Sequence, residues 1–171
     1  MQDLVGQAKA VGVILVKRRT GRTRTLLLLS MLCVSGCQNA SPVTGERTAV
    51  AFADGKVAIT LPSTVNASAA KRMDFDIVDV KDAAGPLLRI YAGNHPQGIE
   101  TAGPRIEETI GGRSSITHRW VENGTNSRLT LVTVENLEWP RFVQFYYRQI
   151  SPTRSAIADG VIASLTIIDL K

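Results

Sequence analysis

From residue 47 onward, apolar positions fall mostly two apart, and only near the C-terminus do they change to helical spacing. Val57, Ile59 and Leu61 alternate with small or polar residues, the period of a strand buried on one face. Asp54-Gly55 just before them is a favoured hairpin turn, so 48–52 and 56–61 are expected to pair, with Pro62 ending the second strand. Two more strands, 75–80 and 87–91, flank the turn-forming stretch 81–86. Periodicity is then lost from 92 to 104, which holds Gly93, Asn94, Pro96, Gly98 and Gly103. Structureless stretches of that length are uncommon and often functional. A second hairpin is expected from 115–121 and 129–135 around Asn123-Gly124, with extra polar residues lengthening its loop. Residues 141–150 form the most aromatic run. Val143, Phe145 and Tyr147 alternate with Phe142 and Tyr146, and Ile150 is expected on the Phe142 face, the pattern of a central strand covered on both sides.

The change of period comes at Ser151-Pro152. Serine is a good N-cap and proline suits the first helical position, so a helix is expected from 152 to 165. Ile157, Val161, Ile162 and Leu165 recur on one face, and Thr166-Ile167-Ile168-Asp169 reads as a last short strand. Residues 63–73, rich in alanine around Asn66-Ala67-Ser68, read as a short helix or turn. The fold class that follows is α+β: an antiparallel sheet of six or seven strands with a C-terminal helix packed on it.

The N-terminal third follows different rules. Six basic residues precede the apolar run Leu26-Leu27-Leu28-Leu29, and small residues close it at Val34-Ser35-Gly36-Cys37. This is the order of a secretory signal, and the run falls short of the roughly 20 residues that span a bilayer. Val34-Ser35-Gly36-Cys37 resembles the lipobox of bacterial lipoproteins. That resemblance implies cleavage between Gly36 and Cys37, diacylation of the Cys37 thiol, and attachment to the membrane of the cell envelope through that lipid. Gln38-Asn39 in place of an aspartate implies the outer membrane, facing the periplasm. The apolar run Val11–Val16 ahead of the signal is explained if translation starts at Val16. The expected organisation is therefore a signal peptide at 1–36, a flexible linker at 37–46 and one domain at 47–171.

Removing 1–36 changes the charge argument. The whole chain carries 20 Lys/Arg against 15 Asp/Glu, which by itself suggests a nucleic-acid binder. Six of the bases and one acid lie before Cys37, leaving 14 of each sign among the 135 residues that follow. No basic surface for nucleic acid is expected. The only cysteines are Cys33 and Cys37, so the folded part can hold neither a disulfide nor a thiolate metal site.

The hairpin leading to Leu61-Pro62, and the aromatic strand followed by Ala158-Asp159-Gly160-Val161-Ile162-Ala163-Ser164-Leu165, resemble in layout the Mog1/PsbP-like family, which includes bacterial lipoproteins. That resemblance spans about residues 47 to 169 and implies an accessory or binding role rather than catalysis.

Candidate chemistry is sparse. His95 lies in the loop and His118 in a strand, with nothing at metal-ligand spacing beside either. Asp74, Asp76, Asp79 and Asp82 lack the glycine and terminal glutamate of a calcium loop and read as the solvent face of a strand. Glu107 and Glu108 point to opposite faces if extended and read as a solvated segment. Gly111-Gly112 lacks the lysine of a phosphate loop, and no Gly-x-Ser-x-Gly elbow is present. The candidate binding positions are Asn94, His95 and Trp139, the last in a Glu-Trp-Pro corner; no catalytic residue, metal or cofactor is expected. The sequence thus favours a membrane-anchored, non-catalytic domain that binds an envelope protein or a small ligand. The alternatives are an envelope hydrolase with an unrecognised site and a structural module that assists assembly of an envelope complex.

Overall fold

Among the described residues ten strands and one helix are formed, and every strand pairing is antiparallel. A computed structural model describes residues 46–168; the signal, Gly36, Cys37, the linker as far as Gly45 and the end of the tail from Asp169 lie outside the described residues. The strands are β1 (Arg47–Phe52), β2 (Val57–Pro62), β3 (Asn66–Lys71), β4 (Phe75–Asp82), β5 (Gly85–Gly93), β6 (Arg105–Ile110), β7 (Arg113–Glu122), β8 (Thr125–Thr133), β9 (Phe142–Ile150) and β10 (Thr166–Ile167), with α1 (Pro152–Ala163) before the last. One sheet has the order β1-β2-β10 and the other β3-β4-β5-β9-β8-β7-β6. The chain is an α+β fold.

Each hairpin has a local cause. Ala53 and Asp54 take positive φ (52° and 55°) between β1 and β2, and the buried Asp76 carboxylate accepts the Ala53 N–H at 2.8 Å. At the β7–β8 turn, Asn123 (φ 52°) and Gly124 (φ 73°) are both left-handed, the two-residue turn whose twist matches its strands. The expected longer loop is absent because Glu122 already pairs with Thr125.

Two strands, β3 and β6, were not expected, whereas β10 falls within the last short strand expected at 166–169. β3 forms where a short helix or turn was expected: 66–71 pairs with β4 from Asn66↔Lys81 to Lys71↔Asp76. Pairing supplies there what propensity does not, since an alanine-rich edge segment has no preference of its own for a strand. β6 extends the other edge, and β10 adds two residues to the small sheet.

β9 is central, between β5 and β8. Its core face is Val143, Phe145 and Tyr147, and then the alternation breaks. Gln149 has φ 52°, and Asn126↔Ile150 follows Arg128↔Tyr147, so two β9 residues oppose one of β8. This bulge returns Ile150 to the Tyr147 face, where it is buried, instead of the Phe142 face that strict alternation predicts.

The core lies between the larger sheet, the smaller sheet and α1, which touches β2, β5, β8 and β9. Ser151 caps α1 by accepting from Arg154 N, Pro152 opens it, and Ala158, Val161 and Ile162 face inward at 1% exposure or less. Arg154, in the first turn, donates to both oxygens of Asp82 at 2.8 and 3.0 Å and to the carbonyls of Gly85 and Pro86. The helix start is therefore clipped to the β4–β5 turn, beside the point where the β5–β9 ladder ends at Arg89↔Tyr146.

The Arg154 guanidinium holds the Asp82 carboxyl below its ordinary value of 3.8. A carboxyl whose folded pKa is depressed contributes stability above its unfolded value, and that contribution is lost as pH falls through the folded value. Asp82→Asn should therefore lower the melting temperature at neutral pH and shrink the gap between wild type and variant below about pH 3.8. Thermal melts from pH 7 to pH 2 check this; a constant gap contradicts it.

Candidate functional site

Four connecting segments meet at one end of the larger sheet, where β4 begins and β5 ends. They are the β1–β2 turn, the β3–β4 turn, the first residues after β5 and the segment entering β9. Together they enclose a cleft of about 510 Å³ lined by Asp54, Lys71, Arg72, Met73, Asp74, Asn94, His95 and Trp139. Asn94, His95 and Trp139 are far apart in the chain, and the fold brings all three to this cleft.

Their surroundings give them different roles. The Asn94 side chain accepts from Arg141 N at 3.1 Å and donates to Glu138 O at 3.5 Å, so its amide holds the 138–141 segment in place. Trp139 donates its indole N–H to Asp74 O at 3.2 Å. Lys56 donates to Trp139 O at 3.0 Å, with its ammonium 5.7 Å from the ring centroid, within cation–π range. The peptide bond between Trp139 and Pro140 is cis. His95 is fixed by its backbone N–H, which donates to the Tyr91 hydroxyl at 3.2 Å, and its ring is left exposed.

Asp54 and Lys71, both exposed, form an ion pair in the cleft lining. Met73 is 98% exposed at the tip of the β3–β4 turn, the most exposed large apolar side chain among the described residues. The lining offers one aromatic face, one thioether and two charges of each sign. A strongly charged ligand finds no net complement here, whereas Trp, Met and Arg are the residues enriched at protein interfaces.

The rest of the 94–104 loop is bound to the outer face of the sheet. Gln97 and Gln144 exchange two hydrogen bonds, at 2.9 and 2.8 Å, and Gly103 O meets His118 Nδ1 at 3.0 Å. Gly103 lies so close to β7 that a Cβ would stand 2.1 Å from Arg119 O, which only glycine permits.

The acidic run does not form a shared site. Asp76 is 6% exposed on the core side, contrary to the solvent face read from its alternation, and one of its oxygens has no hydrogen-bond partner among the described residues. Asp79 pairs with Arg89, and Asp82 with Arg154. Among the described residues no three His, Cys, Asp or Glu side chains are grouped to hold a metal ion.

A second polar cluster, invisible to sequence spacing, centres on Arg128, 3% exposed in β8. It donates to Thr130 Oγ1 at 2.7 Å, to Asp159 of α1 at 2.9 Å and to Glu108 of β6. Tyr147 also donates to Asp159, at 3.1 Å, and its burial, together with that carboxylate, pushes the phenol well above its ordinary value. Glu108 is thus a partner of a buried arginine and not part of a solvated segment. Each carboxylate is neutralised by Arg128, with Arg119 3.7 Å from the outer oxygen of both, so the cluster reads as a structural tie.

Comparison with known proteins adds little. No family model matches the chain, and no curated protein matches it. A solved structure from Bacteroides thetaiotaomicron VPI-5482 is similar with a TM-score of 0.42 and 12% identity, over 74% of this chain and 49% of that one. The chain thus spans about half the length of that structure.

Arg128→Met should destabilise the domain by about 3–5 kcal/mol, because it leaves Glu108 and Asp159 without their buried partner. Urea unfolding checks this; a change under about 1 kcal/mol would show that solvent already satisfies both carboxylates.

Proposed function

We propose that this chain is a lipid-anchored lipoprotein of the bacterial cell envelope whose domain is a non-catalytic binding module. The lipid sits on Cys37, the signal ahead of it is removed after Gly36, and the protein faces the periplasm from the outer membrane. The observation that carries the binding assignment is the cleft in which His95, Met73 and Trp139 stand on four turns held by Asn94, Asp76 and Lys56. Loops positioned by a rigid sheet are the usual place for recognition, and the mixed lining suits a protein partner better than a charged small molecule. The layout resemblance to the Mog1/PsbP-like family points the same way.

Anchoring and recognition are separable, and each has its own test. Two acyl chains hold a protein stably where one binds marginally. Cys37→Ser should therefore abolish incorporation of labelled palmitate and accumulate uncleaved precursor; processing and fractionation like wild type would remove the lipoprotein reading. Trp139→Ala should leave acylation and fractionation unchanged while reducing recovery of an associated envelope component, cross-linked in cells and purified with the chain, by about tenfold, the effect of losing one aromatic anchor. Equal recovery would place recognition elsewhere on the domain.

A further inference from the structure

Strand β3 is a sheet edge without the usual protection. An edge presents a row of unpaired N–H and C=O groups, and proteins blunt it with charge, proline, bulges or cover. β3 pairs only with β4, in unbroken register from Asn66 to Lys71, and five of its six residues are exposed. It reads Asn-Ala-Ser-Ala-Ala-Lys, and its one charge, Lys71, is terminal and paired with Asp54. The opposite edge strand, β6, carries three charges, Arg105, Glu107 and Glu108, and two-fold pairing centred on either glutamate sets that carboxylate against its own copy, which is destabilising.

We propose that β3 is a self-association edge, pairing antiparallel with β3 of a second copy about a two-fold axis at Ala69. Residues directly opposite in an antiparallel ladder turn their backbone groups the same way, so a two-fold pairing must set one residue against its own copy. With Ala69 on the axis, Ser68 lies opposite Ala70 of the second copy, Ala67 opposite Lys71 and Asn66 opposite Arg72. No like charges meet, and the small side chains let the backbones close along the whole strand.

One feature favours this register over one centred on Ser68, and a second favours pairing in either register. The Arg72 guanidinium has no partner among the described residues, and this register gives it the Asn66 amide oxygen. Met73, 98% exposed, is carried just past the strand end to the 63–65 turn of the second copy, so the pairing covers an otherwise bare side chain twice. A strand of six residues, four of them alanine or serine, places the interface at the low end of specific contacts, under about 1,200 Å² in total, so the dimer is weak and reversible.

The test uses the full chain with Cys33→Ser and Cys37→Ser, leaving an introduced cysteine as the only thiol. Ala69→Cys, opposite its own copy, should cross-link through a short bis-maleimide at least about tenfold faster than Ala49→Cys on β1 or Thr109→Cys on β6, and adding Met73→Asp should slow it about tenfold. Sedimentation of the cysteine-free chain at millimolar concentration should show a monomer–dimer equilibrium that Met73→Asp shifts to monomer, a readout that does not depend on how the cysteine variants fold. Equal cross-linking rates at the three positions, or a monomer at every concentration, would overturn the proposal.

Discussion

A single buried guanidinium sets the arrangement on which the rest of this domain depends. Arg128 lies in β8 on the core face, where an unpaired charge would cost several kcal/mol. Its hydrogen bonds reach Thr130 in its own strand, Glu108 in the edge strand β6 and Asp159 in α1. Desolvation is offset only while all three partners are in place, so one residue fixes both the distance of the helix from the sheet and the attachment of β6. The Arg154–Asp82 clip fixes the other end of the helix at the β4–β5 turn. The cleft lies at the far end of β4 and β5 from that clip, so its turns rest on a sheet that is held elsewhere.

That division explains why the cleft can carry unusual backbone. Ala53 and Asp54 at positive φ and the almost fully exposed Met73 all cluster there. Asp76, Asn94 and Lys56 hold this backbone through bonds to main-chain atoms of the neighbouring turns. Such contacts leave the His95 ring exposed and hold Trp139 half-buried, between the core and the cleft. If the cleft binds a partner as proposed, such pre-organisation limits the freedom lost on docking.

Much of the fold could be read from the chain because the relevant signals are local. Alternation at Val57, Ile59 and Leu61, the Asn123-Gly124 turn, the aromatic run into β9 and the Ser151-Pro152 cap each act within a few residues. β3 and β6 could not be read, because edge strands take their conformation from a neighbour: Asn66–Lys71 has helical composition, and in Arg105–Ile110 the apolar face Ile106–Ile110 is interrupted by Glu108. Ile150 was misplaced for a similar reason, since the bulge at Gln149 is set by register against β8. The candidate site divides in the same way. Asn94, His95 and Trp139 stand out by turn composition and the Glu-Trp-Pro corner, whereas the Asp54–Lys71 pair and the Arg72-Met73 tip come from turns distant in sequence. Glu108, Arg128 and Asp159 belong to three elements and share no spacing that a motif could capture.

The proposed recognition at the cleft around His95 and Trp139 can be probed in living cells. A photoreactive amino acid in place of the exposed His95, compared with one at the exposed Ser114 at the start of β7, tests it most directly. One discrete adduct is expected from position 95 under illumination and none from position 114. An adduct of equal yield from both positions, or from 114 alone, would contradict it.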